Sequence, residues 1–150
     1  MENLRLNLTR KTYNELVEAS HESPDDEIIF VGIGDREEAS WKVTEAFQIK
    51  NDSMEEEGIK TSAFYVGAAD DFIKVMMKTR HFNSKAKKDL TMIFHTHPHG
   101  ASRPSGIDLG RAQFRSIYVI YSPRFKTMNA YFWDGDESKR VWNPINHYII

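Results

Sequence analysis

Along this chain the spacing of apolar residues switches between a period of two and a period near 3.6, and each switch marks an element. Behind Thr9, which reads as an N-cap, Tyr13, Leu16, Val17 and Ser20 share one helical face. Glu27–Ile33 and Trp41–Ile49 read as strands. A charged loop with Glu55-Glu56-Glu57-Gly58 follows, then a further candidate strand at Ser62–Val66. From Asp70 the helical spacing returns, with Phe72, Val75, Met76 and Thr79 at i, i+3, i+4 and i+7. Leu90–Phe94 predicts a short buried strand continuing to His97, which Pro98 ends because it has no ladder N–H to give. Ser105 is placed to cap a helix from Gly106 to about Phe114. Ile117–Tyr121 and Met128–Trp133 predict an antiparallel pair joined through Pro123, with a last strand near Arg140–Trp142. The chain shows no repeat, low-complexity tract or linker. The expectation is one domain over 1–150, an α+β or α/β fold in which two to three helices flank a mixed sheet.

Composition narrows the classes of function. A chain of 150 residues is long enough to bury a real core. A net charge of -2 gives no electrostatic footprint for nucleic acid. The lysines between Lys74 and Lys88 are flanked by Asp70, Asp71 and Asp89 and read as a solvated face. The absence of cysteine excludes disulfides and thiolate metal ligands and is compatible with a reducing compartment. Met1–Leu8 lacks the apolar run of a secretion signal, and no segment could span a bilayer, so no membrane association and a cytoplasmic location are expected.

The chemistry concentrates in Phe94-His95-Thr96-His97-Pro98-His99-Gly100-Ala101-Ser102-Arg103-Pro104-Ser105-Gly106-Ile107-Asp108. If the strand runs to His97, residues of odd number share a face, and one ion can be gripped by both His95 and His97. Asp108, in the first turn of the next helix, offers a third ligand. Three such ligands with one open position suit a catalytic zinc site rather than a structural one. Each piece also has a plainer reading: Ser105-x-x-Asp108 is a helix capping box, and His-x-His can be a surface pair. His99 and Arg103 read as solvated loop residues, with a place along a substrate groove as the alternative. His21, His81 and His147 have no mutual spacing and read as surface residues, and Trp41, Trp133 and Trp142 as packing.

His95-Thr96-His97-Pro98, six residues, then Ser105-Gly106-Ile107-Asp108 resembles the JAMM signature of the MPN (JAB) metalloproteases. That family also carries a glutamate upstream, at the head of an apolar strand. Glu27-Ile28-Ile29-Phe30-Val31-Gly32-Ile33-Gly34, preceded by Pro24, is similar, although the family usually has glycine where Phe30 stands and leucine where Gly32 stands. The resemblance implies a curved sheet flanked by helices, with Zn2+ held by His95, His97 and Asp108. It further implies Glu27 as general base and Ser105 as hydrogen-bond donor to the developing oxyanion. The implied activity is cleavage of peptide or isopeptide bonds at the carboxyl end of a ubiquitin-like protein. E1-like and E2-like proteins are the implied partners, and the substrate tail is expected beside a sheet edge. A peptidase acting on cell-wall or other small peptide conjugates, and a non-catalytic MPN scaffold, are the alternatives.

Overall fold

Thr9 does at the first helix what its sequence position implies. In a computed structural model, which describes residues 3–50 and 69–150, its side chain accepts the Thr12 amide and opens α1, Arg10–Glu22. β1, Arg5–Leu8, precedes α1, and β2, Ile29–Arg36, and β3, Ser40–Ile49, follow it. Next come α2, Ala69–Met76, β4, Asp89–Thr96, and α3, Gly106–Arg111. β5, Ser116–Ser122, β6, Thr127–Trp133, and β7, Asn143–Ile149, complete the order. The expected strand at Ser62–Val66 lies outside the described residues. Among the described residues, no helix is long and apolar enough to cross a membrane.

The fold is the expected mixed α+β type, with a curved sheet and few helices. Among the described residues the strands run β1-β3-β2-β4-β5-β6-β7 and close into a barrel, because β1 pairs in parallel with both β3 and β7. Closure removes most of the edge that a docking peptide would extend. Stretches left unpaired include the outer side of β3 beyond Val43, where its pairing with β1 stops, and the outer side of β6 at Thr127–Asn129, which β7 does not reach.

Alternation splits the interior into two cores. Phe30, Met92, Phe94, Ile117, Val119 and Phe132 pack toward Leu16 of α1. Ile29, Val31, Ile93, Tyr118, Ile120 and Trp133 pack on the other face, under Val75 and Met76 of α2. Each fully buried side chain of this size contributes about 1.5–3 kcal/mol.

Several elements differ from the sequence reading, and α2 already ends at Met76, leaving Thr79 beyond it. β2 starts at Ile29 rather than Glu27 and continues to Arg36. α3 ends at Arg111, with Ala112 already extended, so it stops short of Phe114. The last strand is not Arg140–Trp142 but β7, which contains Pro144. Proline disfavours a segment as a central strand, yet Pro144 lies where β7 is paired on the β6 side alone, since β1 pairs only with Asn146 to Ile149. β1 was not expected at all: four residues are too few for a period to register.

One glycine is fixed by close approach. At Gly34, where a bulge shifts the β2–β3 register, a Cβ would stand 1.9 Å from the Lys42 carbonyl oxygen. Gly34→Ala is therefore expected to force β2 and β3 apart and lower the thermal midpoint by at least about 5 °C. A melting curve followed by circular dichroism checks this, and a midpoint within about a degree of wild type would refute it.

Candidate metal centre

β4 is held extended to its last residue by both neighbours. Ile29 pairs with His95 on the β2 side, and β5 pairs from Met92↔Ile117 to Thr96↔Tyr121 on the other. The His97 amide then donates to the Tyr121 carbonyl at 3.0 Å, so the extended backbone carries past the formal strand end. His95 and His97 consequently project to the same face, the one that α3 covers.

α3 brings the third group. Ser105 Oγ accepts the Asp108 amide at 3.1 Å, and the Ser105 amide donates to Asp108 Oδ2 at 2.9 Å, a complete capping box. The plain reading of Ser105-x-x-Asp108 therefore holds, and it is also what aims the carboxylate. His95 Nε2 and His97 Nε2 are 3.1 Å apart, His97 Nε2 lies 3.0 Å from Asp108 Oδ2, and His95 Nε2 lies 3.2 Å from Asp108 Oδ1. Among the described residues these three form the cluster able to hold a metal ion.

The donor set fits a small divalent cation. Bonds of about 2.0–2.1 Å to a tetrahedral ion place neighbouring donors roughly 3.3–3.4 Å apart, so the triangle needs to widen by only a few tenths of an ångström. Two imidazoles and one carboxylate are borderline-soft ligands of the kind zinc takes. The site is closed beneath and open at one corner: the side chains of His95 and Asp108 are 0% and 1% exposed, whereas His97 is 18% exposed.

His97 is also oriented from behind. Its Nδ1–H donates to the Ala101 carbonyl at 2.9 Å, which fixes the neutral tautomer and leaves the Nε2 lone pair for a cation. Burial opposes charge on His97. Its bonds to Asp108 and Ala101 and the nearby Asp108 and Glu27 carboxylates outweigh that and raise its pKa above the usual imidazole value. Burial likewise opposes ionisation of Asp108, yet hydrogen bonds from His95, His97 and the Ser105 amide hold its carboxyl far below the usual carboxylate range.

Glu27 precedes β2, and its segment is tied to β4 through Thr96. The Thr96 amide donates to the Ile28 carbonyl at 3.1 Å. The Thr96 hydroxyl accepts the Ile28 amide at 3.0 Å and donates to the Asp26 carbonyl at 3.2 Å. Continued from Ile29↔His95, this register sets Glu27 opposite His97, and the Coulombic effect of Glu27 on His97 agrees. Glu27 is buried, at 9% exposure. All five residues singled out in the sequence thus come to one end of the barrel. His99 and Arg103 are exposed on the loop between the ligands, and the His99 carbonyl accepts from Arg124 at 3.4 Å. His21 sits apart, bonded to the Tyr121 hydroxyl at 2.7 Å, and His81 packs on Phe82 and Phe114. The three tryptophans are core residues.

Alternation along the strand predicts Thr96 turned away from the histidines with its hydroxyl free to bond backbone, as found, whereas the Ala101 carbonyl and Ser102 with its partners on β6 were passed over. Ala101 acts through a main-chain atom and leaves no trace in a sequence.

Residues 9–134 match the family model described as prokaryotic homologs of the JAB domain. The solution structure of protein DSY2949 from Desulfitobacterium hafniense superposes with a TM-score of 0.72 at 18% identity, over 97% of this chain and 92% of that one. The crystal structure of AF2198, a JAB1/MPN domain protein from Archaeoglobus fulgidus, superposes with a TM-score of 0.52 at 16% identity, over 100% of both chains. At these identities the likeness speaks for fold. No curated protein matches the chain.

Binding of a divalent cation should depend on pH in a direction the site dictates. His97 must be neutral to ligate, so protons compete with the cation, and affinity falls as pH drops through the raised His97 pKa. Asp108 stays ionised throughout that window. Calorimetry with Zn2+ as probe, in buffers of different protonation enthalpy, should show release of up to about one proton, growing from about pH 8 to about pH 6. Proton-independent affinity over that range would contradict the assignment of His97 as a ligand.

Proposed function

Because this chain belongs to the family of prokaryotic homologs of the JAB domain, we propose that it is a zinc-dependent peptidase. In this reading it cleaves the peptide or isopeptide bond at the carboxyl end of a ubiquitin-like protein. The observation that carries the reading is the complete donor set of His95, His97 and Asp108, with donor atoms 3.0–3.2 Å apart and open at the His97 corner. A scaffold without catalytic work has no use for three converging ligands, a carboxylate across from them and a solvent-facing corner.

When bound, zinc supplies Lewis acidity that activates a water and polarises a carbonyl. Glu27, across from His97, takes the proton released by the attacking water and passes it to the leaving amine. Ser105 Oγ accepts the Asp108 amide, so its own O–H donates to the oxygen on which negative charge develops. Such a donor is typically worth ~3 kcal/mol of barrier. Ser105 is exposed beside buried Asp108, which supports a donor that substrate can reach. E1-like and E2-like proteins are the partners this substrate class implies, and the net charge of -2 favours no nucleic-acid partner.

The test is a ubiquitin-like protein ending in Gly-Gly and fused to a reporter, incubated with the zinc-loaded protein and followed by mass spectrometry. Cleavage at the tail is expected, abolished by chelator and restored by Zn2+; chelator-resistant cleavage would overturn the mechanism. Glu27→Gln should bind zinc as wild type does while kcat falls by roughly 10²–10⁴. Near-normal turnover in that variant removes Glu27 from the role of base. A well-folded wild type that binds no zinc removes the whole reading.

A further inference from the structure

The Ala101 carbonyl that orients His97 belongs to an exposed loop residue, and nothing about Ala101 itself holds that carbonyl in place. The next residue is firmly anchored. Ser102 is 2% exposed although its neighbours Ala101 and Arg103 are exposed. Three side chains of β6 meet it. Ser102 Oγ bonds Thr127 Oγ1 at 2.9 Å. Asn129 Nδ2 donates to Ser102 Oγ at 2.7 Å and to the Ser102 carbonyl at 3.1 Å. The Tyr131 hydroxyl donates to the same carbonyl at 2.8 Å in a buried setting. Thr127, Asn129 and Tyr131 alternate along β6 and so present one face, the face to which His95 and His97 also project.

We propose that Ser102, clamped by Tyr131 and Asn129, is a positioning residue for the metal centre. It fixes the peptide plane shared by the Ala101 C=O and the Ser102 N–H. The Ala101 oxygen then holds His97 Nδ1–H and keeps Nε2 aimed at Asp108 and His95. Fixing this plane in advance removes an ordering cost from metal binding, so the clamp appears as affinity. The proposal rests on His95, His97 and Asp108 being the ligands. It adds that a strand contributing no ligand sets how tightly they hold the ion.

The experiment measures Zn2+ affinity by competition with a chromophoric chelator for wild type, Ser102→Ala, Tyr131→Phe and Ser20→Ala. Ser20→Ala is the control, since its hydroxyl is equally buried but bonds the Leu16 carbonyl within α1 at 2.6 Å, on the opposite face of the sheet. Ser102→Ala and Tyr131→Phe should each bind zinc roughly tenfold more weakly, the low end for groups supporting a ligand. Ser20→Ala should bind as wild type even if its melting point falls further. In the zinc-loaded protein the His97 Nδ1–H resonance should exchange with solvent faster in Ser102→Ala and Tyr131→Phe than in wild type, which a purely structural loss would not produce. Tyr131→Phe keeps the ring and its packing, so it stands as the test if Ser102→Ala does not fold. Wild-type affinity and exchange in both Ser102→Ala and Tyr131→Phe would overturn the clamp while leaving the metal site intact. Failure of wild type to bind zinc would overturn the clamp together with the ligand assignment.

Discussion

The extended course of β4 up to and beyond Thr96 is the constraint on which the site depends. A strand turns every second side chain to one face, and that geometry brings His95 and His97 together only while the backbone stays pleated. The strand end is where pleating is normally lost. Here it is kept by β2 on one side and by β5 on the other, including the bond from the His97 amide to Tyr121. Were either neighbour to release β4 at Phe94, the two imidazoles would diverge, and the capped helix behind them would aim its carboxylate at nothing.

The electrostatics follow from that placement. A carboxylate at 1% exposure is costly unless it is bonded, and Asp108 is bonded by the Ser105 N-cap amide and by two rings. Oδ2, which completes the capping box, also faces His97, while Oδ1 faces His95, so local helix chemistry and the candidate catalytic chemistry share one group. The raised His97 pKa has the same source: the anionic pair Asp108 and Glu27 favours positive charge at this point, whether a proton or a divalent cation supplies it.

Thr96 and Ser102 give the site its frame from two directions. Thr96 turns away from the ligands and ties the Asp26–Ile28 segment to β4, which holds Glu27 across from His97. Ser102 ties the loop to β6, which steadies the backbone oxygen behind His97. Both are small hydroxyl residues at 0–2% exposure whose partners are far away in the chain.

Much of this was legible in the sequence because the signals are local. Thr9 and Ser105 cap their own helices, the odd-numbered histidines share a face, and Pro98 bounds the strand; each is decided within a few residues by sterics and hydrogen bonding. The candidate cluster was readable for that reason, since His95, His97 and Asp108 lie within one strand-loop-helix unit. Closure of the sheet by β1, the use of a proline-bearing segment as β7, the early end of α3 and the contributions of Ser102, Asn129 and Tyr131 were not readable. They arise from pairings between distant segments, where a four-residue strand gains its stability from two neighbours and a serine its meaning from a strand 25 or more residues away. Periodicity encodes which face a side chain takes; only the packed chain decides what stands opposite it.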